Sequence, residues 1–267
     1  MQVLERKEHA DHSVEKLAYT HDGMKLIAWL VKPRGTGPFP LVVWNHNSRL
    51  KMVDGQVLDE TQDPTITLDS PPYPGVRENG WAWFVPECRG YAGSEGQRLW
   101  PLKEPFVENT LSYLAGRATD CLAGIDQILA ARPEIRRDQV AMCGASHGGM
   151  VTLEAAARRP KGFKTAIVQA PGVFIKTEAG LSQIIDWTRR IEAPVLFQHF
   201  RKDAIIPLSV SEKAVAEMSR KTPPVRLKVY EDIPGVEGHF QFDPGNYELM
   251  IGDFMQALEA ALPKQGK

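Results

Sequence analysis

Apolar residues along the chain fall into two patterns, short continuous runs and spacings of three and four residues. The runs are rich in β-branched and aromatic side chains, which is typical of strands in a sheet covered on both faces. They predict eight strands, at Val14–Tyr19, Leu26–Val31, Pro40–Trp44, Ala82–Val85, Gln139–Cys143, Thr165–Gln169, Pro194–His199 and Arg226–Tyr230. Asp22-Gly23 joins the first two and favours a tight hairpin, so the sheet is expected to begin antiparallel.

Helical spacing fills the stretches between the later strands. From Leu114 to Leu129 apolar side chains recur every three or four residues, and Pro133 predicts that this helix ends near Arg132. Further helices are predicted at Ser146–Arg158, at Leu181–Arg190, from about Ser209, and at Tyr247–Leu262. Helices that alternate with strands in this way indicate an α/β protein with a mostly parallel eight-stranded sheet and helices on both faces.

Two segments are longer than ordinary connections between elements. Residues 45–80 follow the third strand and are rich in Pro, Asp and Thr, and residues 171–193 form a short, cap-like insertion. Long loops in a compact domain are usually functional. We expect a single domain over residues 1–267, with these two segments shaping its binding pocket.

Composition and charge exclude several classes of protein. The 267 residues carry 32 basic and 33 acidic side chains, so no basic field favours nucleic acid. The longest apolar run has six residues, against about 20 for a membrane span, and the N-terminal sequence lacks a signal segment. We therefore expect a cytoplasmic protein with no membrane partner. Three widely spaced cysteines, without a CxxC, argue against a disulfide framework and a zinc site.

The candidate nucleophile is Ser146, in Gly144-Ala145-Ser146-His147-Gly148. This G-x-S-x-G pattern lies between a predicted strand and a predicted helix, as in a nucleophile elbow, where a strained turn exposes the serine hydroxyl. The helix N-terminus beside it also favours developing negative charge.

A serine nucleophile needs a base and an acid, which follow it in the order acid, then histidine, in elbow enzymes. Of seven histidines, only His239 lies in a loop just after the last predicted strand. Asp203 follows the strand Pro194–His199 and would hold His239 in the correct tautomer. Asp232 and Asp186 remain alternatives for the acid.

Hydrolysis also requires N–H donors for the oxyanion of the tetrahedral intermediate. One should be the backbone N–H of His147. The second should come from the loop after the third strand, where the sequence leaves Asn47 and Ser48 open.

Other chemistry-bearing residues receive structural interpretations. The buried core is expected to include Trp44, Trp81 and Trp83 and, as small apolar residues, Cys88, Cys121 and Cys143. Trp100 and Trp187 are candidates for lining an acyl or leaving-group pocket. Neither a G-x-G-x-x-G motif nor a Walker motif nor a histidine cluster is present, so no nucleotide or metal cofactor is expected.

Five motifs occur together and in order between about Val14 and Leu262: PLVVWNH, VPECRGYAGSEG, VAMCGASHGG, PVLFQHFRKDAIIP and GVEGHF. On these motifs the sequence resembles the α/β-hydrolase superfamily, and within it the dienelactone-hydrolase-like and prolyl-oligopeptidase-like serine hydrolases. The resemblance implies an α/β-hydrolase fold with a minimal cap, a Ser146–Asp203–His239 triad and no cofactor.

The sequence departs from these relatives at several positions. Ser146 stands where dienelactone hydrolases have a cysteine, and Asn47 replaces the glycine after the loop histidine. Glu87-Cys88 replaces the aspartate that usually opens the RG motif, whose Arg89 and Gly90 we interpret as scaffold. No propeller domain is present to restrict access to peptides.

These observations favour a serine hydrolase that cleaves carboxylic esters of small to medium size through an acyl-enzyme. A peptidase or amidase with the same triad is the first alternative. A non-catalytic fold that binds a small ligand is the second, although the intact triad argues against it. The sequence does not predict an oligomeric state.

Overall fold

The computed structural model describes residues 1–53, 56–99, 104–172, 177–231, 239 and 248–262. Its strands are β1 (Gln2–Glu8), β2 (His12–His21), β3 (Met24–Pro33), β4 (Phe39–Asn45), β5 (Leu50–Val53), β6 (Gln56–Glu60), β7 (Ala82–Pro86), β8 (Ile135–Ala145), β9 (Ala166–Gln169), β10 (Val195–Phe200) and β11 (Val225–Tyr230). Its helices are α1 (Phe106–Ala131), α2 (His147–Arg158), α3 (Thr177–Arg190), α4 (Leu208–Ala216) and α5 (Glu248–Ala261).

Nine of the strands form one sheet in the order β1-β2-β3-β7-β4-β8-β9-β10-β11. Pairing is antiparallel from β1 to β7 and parallel from β7 to β11. All eight predicted strands are present, and the sheet is mostly parallel as expected. The prediction of eight strands was one short, because β1 is exposed along its whole length and carries only Val3 and Leu4 as large apolar residues.

Side chains of the central strands alternate between two buried clusters, one on each face of the sheet. On β4, Leu41 and Val43 pack into the cluster that also contains apolar residues of α1 and α2. Val42 and Trp44 point the other way, into the cluster that includes Phe254 of α5. Because side chains alternate between the two faces of the sheet, each face is apolar. Helices cover both faces, as the sequence predicted.

Aromatic residues fill the second cluster as expected. Trp44, Trp81 and Trp83 are buried there, and the rings of Trp83 and Phe254 stack with centroids 6.1 Å apart. Trp187 on α3 is half-buried against the first cluster, whereas Trp100 lies outside the described residues.

The two long segments have local structure that the sequence did not fully predict. Within residues 45–80, β5 and β6 form an antiparallel hairpin whose base is closed by the Thr61 N–H donating to the Arg49 carbonyl oxygen at 3.0 Å. Within residues 171–193, α3 extends the predicted helix towards its N-terminus. In the part of the chain that the structure describes, no helix has both the length and the apolar character needed to cross a membrane.

Candidate active site

Ser146 lies in a sharp turn between β8 and α2. Its backbone has φ 54° and ψ −122°, a conformation that non-glycine residues rarely adopt and that costs about 1–3 kcal/mol. The turn is held in place by the Ser146 N–H, which donates to the Gln169 carbonyl oxygen at 2.7 Å. A strained residue that the surrounding structure fixes in this way presents its side chain at the end of the parallel strands.

Both glycines of the G-x-S-x-G motif allow backbone segments to cross closely. A Cβ atom on Gly148 would overlap the carbonyl oxygens of Asn45 and His46, and one on Gly144 would overlap the carbonyl of Gly148. The segment that follows β4 therefore lies directly against the start of α2. An additional hydrogen bond, from Asn45 Nδ2 to Thr152 Oγ1 at 3.0 Å, joins the same two elements.

The structure brings the three predicted side chains together. Ser146 Oγ lies 3.0 Å from His239 Nε2, and His239 Nδ1 lies 2.8 Å from Asp203 Oδ2. With the hydroxyl donating to Nε2 and Nδ1–H donating to the carboxylate, these distances form a continuous hydrogen-bond chain. The same chain connects nucleophile, base and acid in serine hydrolases.

The carboxylate of Asp203 is fixed from two directions. Oδ1 accepts the backbone N–H groups of Ile205 and Ile206 at 2.9 and 2.8 Å, which leaves Oδ2 for His239. The Asp203 side chain has no solvent exposure. A buried carboxylate that accepts these hydrogen bonds is held in position for His239.

His199, beneath Asp203, was not assigned a role from the sequence. Its Nε2 donates to the Ile206 carbonyl oxygen and its Nδ1 accepts the Ser211 hydroxyl, both at 2.8 Å. Burial lowers the pKa of His199 below its usual value of 6.5. A neutral imidazole therefore supports the Asp203 turn from below, 3.6 Å from Oδ2.

The two alternative acids have different outcomes. Asp186 is exposed on α3, where it lies 3.5 Å from Arg190 Nη1, away from His239. It is therefore not the partner of His239 in this structure. Asp232 lies outside the described residues.

The candidate oxyanion donors lie on either side of the Gly148 crossing. His147 is the first residue of α2, so its N–H is one of the free donors at the helix start. Asn47 is exposed and Ser48 half-buried in the connection between β4 and β5, which we call the 46–49 loop. Asn47 Oδ1 accepts the Arg49 N–H at 3.1 Å, which stabilises the turn.

Sequence reasoning missed Arg117, a buried residue of α1. Its Nη1 lies 2.6 Å from Nδ1 of His147, and its Nη2 donates to the His46 carbonyl oxygen at 3.1 Å. Burial, together with the charges of Arg117 and His46, holds the pKa of His147 well below 6.5. The available signal was an arginine on the apolar face of a helix, three residues from Leu114 and four from Cys121.

Cys88 is buried, but its interpretation as a small apolar residue was incomplete. Its Sγ lies 3.3 Å from Nε2 of His46, which is also 3.3 Å from Oε2 of buried Glu87. Burial alone would raise the pKa of Cys88, but Arg117 and His46 more than offset this and lower it. Burial likewise opposes protonation of His46, yet Cys88 and Glu87 raise its pKa.

The other two cysteines are buried, and Arg89 has a scaffolding role. Burial raises the pKa of Cys121 to about 12 and that of Cys143 far above its ordinary value. Arg89 binds both carboxylate oxygens of Asp120 at 2.7 and 2.8 Å, which ties the RG motif to α1. Among the described side chains, no three His, Cys, Asp or Glu residues are grouped to hold a metal ion.

Comparison with known proteins now gives the class of the chain. A family model for X-Pro dipeptidyl-peptidase (S15 family) matches residues 22–192, more than half of the sequence. The chain belongs to this family of α/β-hydrolases. The expected superfamily is therefore confirmed, whereas the closer kinship with dienelactone hydrolases stays a prediction. No curated protein matches the sequence.

Solved structures share the fold at low sequence identity. A cold-adapted esterase from an Arctic intertidal metagenomic library is 15% identical with a TM-score of 0.67, and the match covers 98% of this chain and 100% of the esterase. Acetyl xylan esterase from Paenibacillus sp. R4 is 18% identical with a TM-score of 0.67, covering 98% and 88%. Acylaminoacyl peptidase from Pyrococcus horikoshii is 16% identical with a TM-score of 0.66, covering 96% of this chain but only 43% of the peptidase.

Proposed function

We propose that the protein is a serine esterase that hydrolyses carboxylic esters of small to medium size. The observation that carries this proposal is the hydrogen-bond chain from Ser146 Oγ through His239 to buried Asp203, at 3.0 and 2.8 Å. Three side chains from three separate loops meet in the geometry that activates a serine hydroxyl. A fold that only binds a ligand has no need of this geometry.

In the proposed reaction, Ser146 Oγ attacks the ester carbonyl carbon as its proton passes to His239 Nε2. The carbonyl oxygen becomes an oxyanion, which accepts hydrogen bonds from the His147 N–H and from a donor in the 46–49 loop. Collapse of the tetrahedral intermediate breaks the bond to the alkoxide, which takes the proton from His239 and leaves as an alcohol. Water then repeats the sequence on the acyl-enzyme, releasing the acid and restoring Ser146.

Two of the matched structures are esterases, which supports an ester as the substrate. The two esterases match this chain over 100% and 88% of their own length, whereas the matched peptidase is more than twice as long. Peptidase activity remains the second candidate, because the matching family model describes an X-Pro dipeptidyl-peptidase.

The three cysteines are free thiols, which agrees with our proposal of a cytoplasmic location.

A fluorophosphonate probe and a substrate panel test the proposal together. We expect the probe to label Ser146 in the wild-type protein and to leave Ser146→Ala unlabelled. On p-nitrophenyl acetate, p-nitrophenyl butyrate, a γ-lactone and Gly-Pro-p-nitroanilide, kcat/KM should be highest for one of the esters. A higher value for Gly-Pro-p-nitroanilide would replace the esterase by a dipeptidyl peptidase. A folded protein that the probe does not label would contradict a serine hydrolase of either kind.

A further inference from the structure

Arg117 is a buried cation that has no carboxylate partner among the described residues. The residue is 4% exposed, and among the described residues no Asp or Glu oxygen lies within 4.0 Å of its guanidinium. The nearest acid along the helix, Asp120, is bound on both oxygens by Arg89. Burying a guanidinium without an ion pair is costly, so its hydrogen bonds must offset much of that cost.

Its two hydrogen bonds reach the two segments that meet at the Gly148 crossing. Nη1 donates to Nδ1 of His147, on the α2 side, at 2.6 Å, and Nη2 donates to the carbonyl oxygen of His46, in the 46–49 loop, at 3.1 Å. His147 and His46 are 101 residues apart in sequence. One rigid, planar group therefore fixes their separation.

The bond to His46 also orients the next N–H. The His46–Asn47 peptide is trans, so its carbonyl oxygen and the Asn47 N–H point in opposite directions. With the oxygen directed at Arg117, the Asn47 N–H points away from α1. Among the described backbone hydrogen bonds, neither this N–H nor that of His147 is used. Both are available to an incoming acceptor.

We propose that Arg117 is a positioning residue that holds the two oxyanion donors, the N–H groups of Asn47 and His147, at a fixed distance from each other. This inference rests on the proposed serine hydrolase function and selects Asn47 over Ser48 as the second donor. Arg117 does not contact the substrate in this scheme. It acts through the peptide of His46 and the ring of His147.

The arrangement sets the protonation state of His147. A guanidinium only donates hydrogen bonds, so Nδ1 of His147 must be an acceptor and the ring proton must lie on Nε2. The ring of Tyr113 packs against the imidazole with centroids 5.7 Å apart. A protonated His147 would lose the Arg117 bond, so the imidazole should stay neutral wherever the protein is folded.

The rate of phosphonylation by a fluorophosphonate tests the inference without requiring the natural substrate, because the phosphoryl oxygen occupies the oxyanion position. Arg117→Lys keeps the charge but loses the planar guanidinium that binds two groups at once, and Arg117→Gln loses the charge. We expect both variants to react about 10²-fold more slowly, which is near the effect of losing one oxyanion donor. Arg89→Lys is the matched control, since Arg89 also binds α1. It should lower the melting temperature but react within about threefold of the wild type.

Ester kinetics separate positioning from a general structural role. In the Arg117 variants kcat should fall by about the same factor as phosphonylation, with KM changed less than about threefold, because ground-state binding does not use the oxyanion donors. Wild-type rates in both Arg117 variants would overturn the inference and leave the esterase proposal intact. An unreactive wild-type protein would instead overturn the proposed function. Equal losses of rate in Arg89→Lys would also overturn the inference, since they would make the effect structural.

Nitrogen NMR of the wild-type protein provides a test that does not depend on folded variants. The ¹⁵N shifts of His147, assigned by difference from His147→Gln, should report a neutral ring with its proton on Nε2 from pH 5 to 9. Titration of this ring near 6.5, or a proton on Nδ1, would contradict the Arg117 bond and with it the inference.

Discussion

The elbow around Ser146 and the 46–49 loop face each other across the site, but they are built in different ways. The elbow is local, because five consecutive residues provide the strand end, the strained turn and the two glycines at which backbone segments cross closely. The 46–49 loop is held from a distance, by Arg117 on α1, by Thr61 at the base of the hairpin, and by the contacts of His46 with Glu87 and Cys88. A motif therefore describes one wall of the site, whereas only the tertiary structure describes the other.

Replacing the nucleophile should have the largest effect. Ser146→Ala should lower kcat by several orders of magnitude, because it removes the only atom that attacks the carbonyl. Its melting temperature should stay at or above that of the wild type. Alanine takes the same strained backbone conformation, and loss of the hydroxyl removes no contact of the core. Ester hydrolysis and a thermal melt measure both. Retention of more than a few per cent of activity would remove Ser146, and the elbow with it, from the chemistry.

Replacing the acid, Asp203, should have the second largest effect. Asp203→Asn should lower kcat by about 10⁴-fold, because an amide that donates to Nδ1 favours the wrong tautomer of His239. Asp186→Asn is the matched control, since Asp186 is exposed on α3 and should leave kcat unchanged. Similar kcat values for Asp203→Asn and the wild type would show that another carboxylate orients His239.

Gly148→Ala tests the point where the two regions touch. The added methyl group would overlap the backbone of Asn45 and His46, so we expect a loss of about 1–3 kcal/mol in the free energy of unfolding. We also expect a lower kcat, because the 46–49 loop must move. Gly252→Ala, on an exposed face of α5 with no neighbour within 4 Å, should instead stabilise the protein by about 1 kcal/mol. Equal effects in urea unfolding would argue against the close crossing.

The smallest effect is a difference in pH dependence between His199, which supports the Asp203 turn, and His46 of the 46–49 loop. The pKa of His199 is lowered in the folded state, so the unfolded chain binds its proton first as the pH falls below 6.5. The stability that neutral His199 provides is therefore complete above 6.5 and lost below. The pKa of His46 is raised, so its contribution is complete below 6.5 and lost as the pH rises.

Two variants measure these opposite signs. Between pH 7.5 and 5.5 the advantage of the wild type over His199→Gln in urea unfolding should shrink. Its advantage over His46→Gln should shrink instead between pH 6 and 8. Each slope is limited to about 1.4 kcal/mol per pH unit for one proton. Slopes of the same sign would contradict the direction of the pKa shift of one of the two histidines.

The parts that sequence predicted are those with a local signal. Continuous apolar runs located eight of the nine strands of the main sheet, β1 excepted, and the strand–turn–helix context located Ser146. Strand β1 was missed because both of its faces are exposed. Its sequence, QVLERKE, therefore lacks the apolar pattern from which a strand is predicted. Asp203 was preferred as the acid, but Asp232 stayed an alternative because both residues follow a strand. Arg117 escaped because its partners are 30 and 71 residues away, and spacing carries no information at that range.

Charged strands at both edges of the sheet affect how the protein behaves at high concentration. An open strand edge can pair with another chain and start an aggregate. Strand β1 carries four consecutive charges, Glu5 to Glu8, and β11 presents exposed Arg226 and Lys228. Stacking two copies edge to edge would strip water from these ions. The cost of removing that water works against continuation of the sheet from one molecule into the next, so charged edge strands favour colloidal stability.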